Sequence, residues 1–239
     1  MTAESTGTRL PGVGILLGGL LAGACGAPPL PPPQTAQPTP TDLRAEALLI
    51  EYTTRVAQPS RIVFRWRAQE PGPRRHEGTG VARVEPPYRA RLDLFLDNGE
   101  AAAIAVLVED ELRIPASLPT ELVPPAPLMW AVFGVFRPGA GARMAEGRIT
   151  RGTMELEYEL PSLDRVRFHL RDRAVVNAER LERGSVVETV FISDREGATI
   201  FPEEATYRNL PGYRELRLTL ESIEHVDAFP PDIWYPNQP

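Results

Sequence analysis

The 239-residue chain carries 26 basic and 32 acidic side chains, for a formal charge of −6, and its pI lies near 5.3; nucleic-acid binding would want a basic face, so that partner class is excluded. With 42 % apolar and 24 % charged residues the composition is that of an ordinary globular protein, of a length that suits one β-rich domain. A single cysteine rules out an intramolecular disulfide and any cysteine-built metal cage.

The first element is an export signal. Arg9 precedes an uncharged, apolar or small run from Leu10 to Ala24, followed by Cys25. The run is too short and Gly-rich for a spanning helix, which needs about 20 apolar residues. Leu21-Ala22-Gly23-Ala24-Cys25 resembles the lipobox of bacterial lipoproteins, although Leu21 stands one place further from the cysteine than is commonest. That resemblance implies cleavage before Cys25 and its acylation, giving a membrane attachment through the N-terminal lipid. An ordinary signal peptide cleaved near Ala27, or a retained anchor, are the plainer readings. Residues 25–41 then hold Pro28, Pro29, Pro31, Pro32, Pro33, Pro38 and Pro40. Such proline density favours extended polyproline II, a semi-rigid tether reaching on the order of 50 Å at ~3.1 Å per residue. By resemblance to lipoprotein sorting signals, Gly26 after the cysteine, in place of the Asp linked to inner-membrane retention, implies the outer membrane.

The domain is expected over 42–239. Thr41 is the expected N-cap of a helix through about Ala57, with Leu43, Ala47, Ile50 and Thr54 at helical spacing, and Leu48 and Tyr52 beside them. Beyond Pro59 the period becomes two. Ile62, Phe64 and Trp66 alternate with Arg61, Arg65 and Arg67. Leu92 and Leu94 alternate with Arg91 and Asp93, Phe168 and Leu170 with Arg167 and His169, and Leu216 and Leu218 with Arg217 and Thr219. One apolar and one wet face is the antiparallel pattern. About ten strands joined by short hairpins predict a mainly β fold with few helices (α+β), a strongly curved antiparallel sheet or incomplete barrel. Residues 128–136 interrupt the rhythm, uncharged and apolar on every side. A helix of that kind must be buried, and this one is predicted to lie on the concave face.

Chemistry is scarce. No nucleophile elbow, phosphate loop, dinucleotide fingerprint or His-Glu-x-x-His pair occurs. In the cluster Glu221, Glu224, His225 and Asp227, strand alternation places Glu221, His225 and Asp227 on one face, which a metal site would need, and a solvated sheet edge is the simpler reading. The rows Glu155-Glu157-Glu159 and Arg165-Arg167-Arg171 read as exposed cross-strand ion pairs. No catalytic residue, metal site or cofactor is predicted.

The order of elements resembles the LolA/LolB-like lipoprotein-carrier superfamily. The likeness rests on the lipobox, a first helix leading into Arg61-Ile62-Val63-Phe64-Arg65-Trp66, the hairpin from Gly78 to Leu94, and an apolar helix interrupting the sheet. It implies an unclosed barrel binding acyl chains without covalent chemistry, between sheet and lid. Phe64, Trp66, Leu92, Leu94, Trp130, Phe133, Phe136, Phe168, Leu216 and Leu218 are the candidate cavity residues. Trp130, Phe133 and Phe136 read first as packed core, next as a movable lid over an apolar cavity, and last as a membrane-inserting wedge. In the family's membrane-side receptor an early loop carries an apolar tip; here Asp97-Asn98-Gly99-Glu100 is polar. The expected function is an envelope lipoprotein that holds acyl chains, of lipoproteins or other lipids, at the periplasmic side of the outer membrane. The alternative is an adaptor with a packed core, contacting an envelope protein partner through its loops or the segment Phe229–Pro236.

Overall fold

The computed structural model describes residues 40–72, 75–120, 122–193 and 200–236. The leader, Cys25 and most of the tether lie outside the described residues, as do the turn around Arg195-Glu196-Gly197 and Arg74 of the early hairpin.

Helix α1 (Pro40–Thr53) starts at a proline, whose fixed φ suits a first turn, one residue before the expected cap. Leu43, Ala47 and Ile50 form its buried stripe. The second stripe is not buried: Leu48 and Tyr52 are 69 % and 65 % exposed. The helix stops four residues short of Ala57, because the hydroxyls of Thr53 and Thr54 both turn back onto the Ile50 carbonyl, at 3.2 and 2.9 Å.

Twelve strands follow: β1 (Ser60–Gln69), β2 (Arg75–Glu85), β3 (Arg89–Leu96), β4 (Ala101–Val108), β5 (Glu111–Arg113), β6 (Arg143–Thr150), β7 (Thr153–Glu159), β8 (Arg165–Arg171), β9 (Ala174–Glu182), β10 (Ser185–Ile192), β11 (Glu204–Asn209) and β12 (Arg214–His225). They form one sheet in the order β5-β4-β3-β2-β1-β12-β11-β10-β9-β8-β7-β6. Strands β1 to β5 step outward by hairpins. The chain then crosses to the far edge through helix α2 (Ala126–Val132) and steps back until β12 pairs with β1. Every neighbour is antiparallel, and among the described residues β5 and β6 remain as unpaired edges, so the barrel is incomplete. The count exceeds the expected ten partly because β5 has only three residues and β6 is exposed along most of its length, so neither shows clear alternation.

Curvature has a local cause. Bulges interrupt the pairing at five places, including Val63/Phe64 opposite β12 and Leu94/Phe95 opposite β4, and each bends and twists its strand. The inward residues of both arms and of the two helices make one continuous core. Gly80 allows a close approach within it: a Cβ there would stand 2.1 Å from the Phe64 ring.

The outer face carries ion pairs. Glu157 takes Arg165 at 2.7 Å and Arg167 at 2.8 Å across the β7–β8 register, as the alternating rows predict. Contrary to expectation Glu157 is buried, because the two arginine side chains lie over it. The C-terminal segment is not a free arm. Its short 3-10 helix (Pro231–Trp234) is strapped to the outer face of β3–β5 by Arg91 on the Ile233 carbonyl and Arg113 on the Trp234 carbonyl, at 2.9 and 3.1 Å. Trp234 is buried there, as is outward-facing Val106.

Candidate hydrophobic site on the concave face

Helix α2 is apolar all round and buried all round: Leu128, Met129, Trp130 and Ala131 have no exposed surface. Pro125 and Pro127 start it. Gly134, at φ +76°, ends it in a Schellman arrangement, with Gly134 N–H donating to the Ala131 carbonyl and Val135 N–H to that of Trp130. The helix covers seven residues, and Phe133 to Pro138 continue as irregular chain rather than as the longer helix expected.

This segment reaches both arms of the sheet. Trp130 meets the Tyr88 ring edge-on at 5.7 Å, and its indole N–H donates to the Glu109 carbonyl at 2.8 Å. Phe136 meets Phe168 at 4.8 Å and Tyr158 at 6.1 Å, both edge-on. Such pairs contribute about 0.5–1.5 kcal/mol each beyond the area they bury. A polar clasp closes the exit. The Arg137 guanidinium stacks over Tyr88 at 3.8 Å, bonds Asp110 at 3.0 and 3.3 Å, and stands 3.7 Å from Glu51. Burial, with Glu51 nearby, raises the pKa of the Tyr158 hydroxyl well above its ordinary value, and the same causes raise that of Tyr88.

All ten candidate cavity residues are buried in one core. The structure gathers three of them, Phe64, Phe133 and Leu218, around an apolar pocket of about 30 Å³. The other seven, Trp66, Leu92, Leu94, Trp130, Phe136, Phe168 and Leu216, are packed away from it. One water needs roughly 10–15 Å³ and a small-molecule pocket some 300 Å³, so the concavity is filled by the α2 segment. The pocket also takes Ile62, Leu220, Phe201 and Pro202. The first two continue the alternation already read on β1 and β12. Phe201 and Pro202 precede β11, where no periodicity marks them.

Two polar features bear on chemistry. The β12 bulge leaves Glu221 as the extra residue and turns His225 toward Ser60, whose hydroxyl lies 2.9 Å from His225 Nδ1. Ser60 also donates to the Gln58 carbonyl at 3.1 Å and is 1 % exposed, an arrangement of a structural hydroxyl rather than an attacking one. Among the described residues no group of three or more His, Cys, Asp or Glu is placed to hold a metal. At the opposite end of the concave face sits a buried Glu188, which the alternation did not reveal. It pairs with Arg180 and accepts from Tyr207 at 2.5 Å and Asn209 at 3.2 Å.

By sequence the chain matches no family model and no curated protein. By structure it is similar to a LolA superfamily protein from Nitrosomonas europaea, with TM-score 0.56 and 11 % identity over 79 % of this chain and 96 % of that one. It is also similar to an outer membrane lipoprotein-sorting protein domain from Vibrio parahaemolyticus, with TM-score 0.50 and 8 % identity over 81 % of this chain and 96 % of that one. At such identities the likeness speaks for architecture alone. A twelve-stranded unclosed sheet wrapped around an apolar helix, matched over most of both chains, is a LolA-like fold.

Proposed function

We propose that the protein is a non-catalytic bacterial envelope lipoprotein that takes up acyl chains on its concave face. In this reading Cys25 anchors it to the outer membrane, the tether holds the domain in the periplasm, and lipoprotein sorting is the process served. The observation that carries the proposal is the α2 segment itself. It is a seven-residue helix, greasy on all sides, bounded by Pro125 and Gly134 and clasped by polar contacts at its exit, in the place a ligand would take. In this reading the filled concavity is the closed form of the carrier.

The energies match in scale. Each acyl methylene removed from water stabilises by ~0.8 kcal/mol, so a sixteen-carbon chain brings on the order of 12 kcal/mol. Displacing a few buried apolar side chains costs about 1.5–3 kcal/mol each. A ligand can therefore stand in for the plug. Nucleophile, metal and cofactor have no part in such an exchange. The structural neighbours, a LolA superfamily protein and a lipoprotein-sorting domain, support the same reading.

A second reading keeps a specific support: the concavity is filled, as an adaptor with a solid core would have it. Its C-terminal segment, docked on the sheet yet exposed at Pro230, Pro231, Asp232 and Tyr235, and the loops would then supply the contact. Solvent extraction of the purified protein followed by lipid mass spectrometry, together with uptake of a fluorescent fatty acid, separates the two. Co-purified or exchangeable acyl lipid supports the carrier. Absence of both supports the adaptor.

A further inference from the structure

Beside the small apolar pocket lies a second hollow of about 310 Å³, and the two share Phe201. Its other walls are Arg55, Gln58, Ser60 and His225 together with Val56, Ala57 and Ile200, with no carboxylate among the described residues that line it. The two hollows run along the same pair of strands. In the β1–β12 register Ser60 faces His225 at the outer end, Ile62 faces Ile223 next, and Phe64 faces Leu220 further in. Four residues of extended chain span ~13 Å. Over that distance a lining that mixes hydroxyl, amide, imidazole and guanidinium with Val56, Ala57 and Ile200 gives way to hydrocarbon alone.

From this gradient we infer that the ligand is an anionic single-chain amphiphile, its acyl tail against Ile62, Phe64 and Leu220, its carboxylate or phosphate head at Arg55. The inference rests on the carrier reading and sets the polarity of its ligand. Arg55 stands just past the end of α1. Its guanidinium lies over the Tyr52 ring at 4.3 Å, and among the described residues no carboxylate pairs with it. A planar guanidinium held by stacking, with its fork of N–H donors uncommitted to an acid, suits bidentate binding of carboxylate or phosphate. Ser60 and His225 occupy each other at 2.9 Å and give the hollow a polar floor. Phe201 marks the boundary at which a head group would stop and a tail continue.

The test uses the purified protein loaded with the fluorescent fatty acid cis-parinaric acid. Displacement is measured with hexadecanoic acid, a monoacylglycerol phosphate and hexadecanol. Wild type is expected to release the probe to the acid or the phosphate at about tenfold lower concentration than to the alcohol. Whichever of the two anions is stronger names the source of the head. Arg55→Ala should bring acid and alcohol within about twofold of each other without weakening the alcohol, and Arg55→Lys should restore part of the gap. Equal potency of acid, phosphate and alcohol in wild type overturns the inference while leaving the carrier reading intact. So does an unchanged preference in folded Arg55→Ala. No uptake of the probe at all overturns both.

Discussion

The Thr54 hydroxyl accepts the Phe136 amide at 3.0 Å while donating to the Ile50 carbonyl at 2.9 Å. One buried side chain thus ends α1 and pins the chain leaving α2, though the two residues lie 82 positions apart. Replacing it with Val keeps the shape and strands the Phe136 N–H. A buried donor left unsatisfied costs about 1–3 kcal/mol. Thr54→Val should lower unfolding stability by that amount, with the Phe136 amide exchanging faster in hydrogen-exchange mass spectrometry than amides of the sheet.

Arg137 is the other fastening. Its stack on Tyr88 and its bonds to Asp110 hold the plug's exit against the β4–β5 turn. Arg137→Gln removes charge and fork while keeping a long side chain. In stopped flow, fatty-acid probe uptake should quicken severalfold, whereas global stability should fall by only about 1–3 kcal/mol, the scale of a charged hydrogen bond. Loss of the fold without faster uptake would mark Arg137 as plain structure.

Acid should loosen the outer face at Glu157. Burial opposes its charge, but Arg167 and Arg165 outweigh that penalty and hold its pKa below the ordinary 4.5. Glu179 is lowered too, first by His169 beside it. A carboxyl whose folded pKa is depressed contributes stability that is complete above its unfolded pKa and is lost as pH falls through the folded one. Denaturant midpoints should therefore hold steady from pH 7 to about 5 and drop below 4.5. Glu157→Gln should be less stable at pH 7, by about 1–3 kcal/mol, and show a shallower acid slope.

Cys25 decides the anchor. In cells that process lipoproteins, wild type should enter the detergent phase on phase partition and take up labelled fatty acid covalently. Cys25→Ser should do neither. A labelled or membrane-bound Cys25→Ser protein would place the attachment elsewhere.

Much of this architecture was legible because burial of one sheet face imposes a period of two. Ile62, Phe64 and Trp66, Leu92 and Leu94, and Leu216 and Leu218 all point inward as their alternation predicts. The plug was legible from composition, since nine uncharged residues have no other place to go. Other features carry no such mark. Strand β6 is an edge with little to bury, so its sequence has no rhythm. The bulge at Glu221 changes the facing of His225, which strict alternation could not anticipate. Phe201 and Pro202 reach the pocket from outside any regular element. Leu48 and Tyr52 follow helical spacing yet face solvent, because the sheet takes only one stripe of α1. Glu157 reads as exposed in sequence and is buried by its own ion pairs.

The account depends on the concave face opening to an acyl chain. Photolabelling the purified protein with a diazirine fatty acid, followed by peptide mass spectrometry, tests this directly. Adducts are predicted on Ile62 or Phe64 of β1, on Leu218 or Leu220 of β12, and on Val132 or Phe133 at the end of α2, with saturation by unlabelled fatty acid. Adducts confined to outward residues such as Leu48 and Tyr213, or none that unlabelled acid competes away, would contradict it.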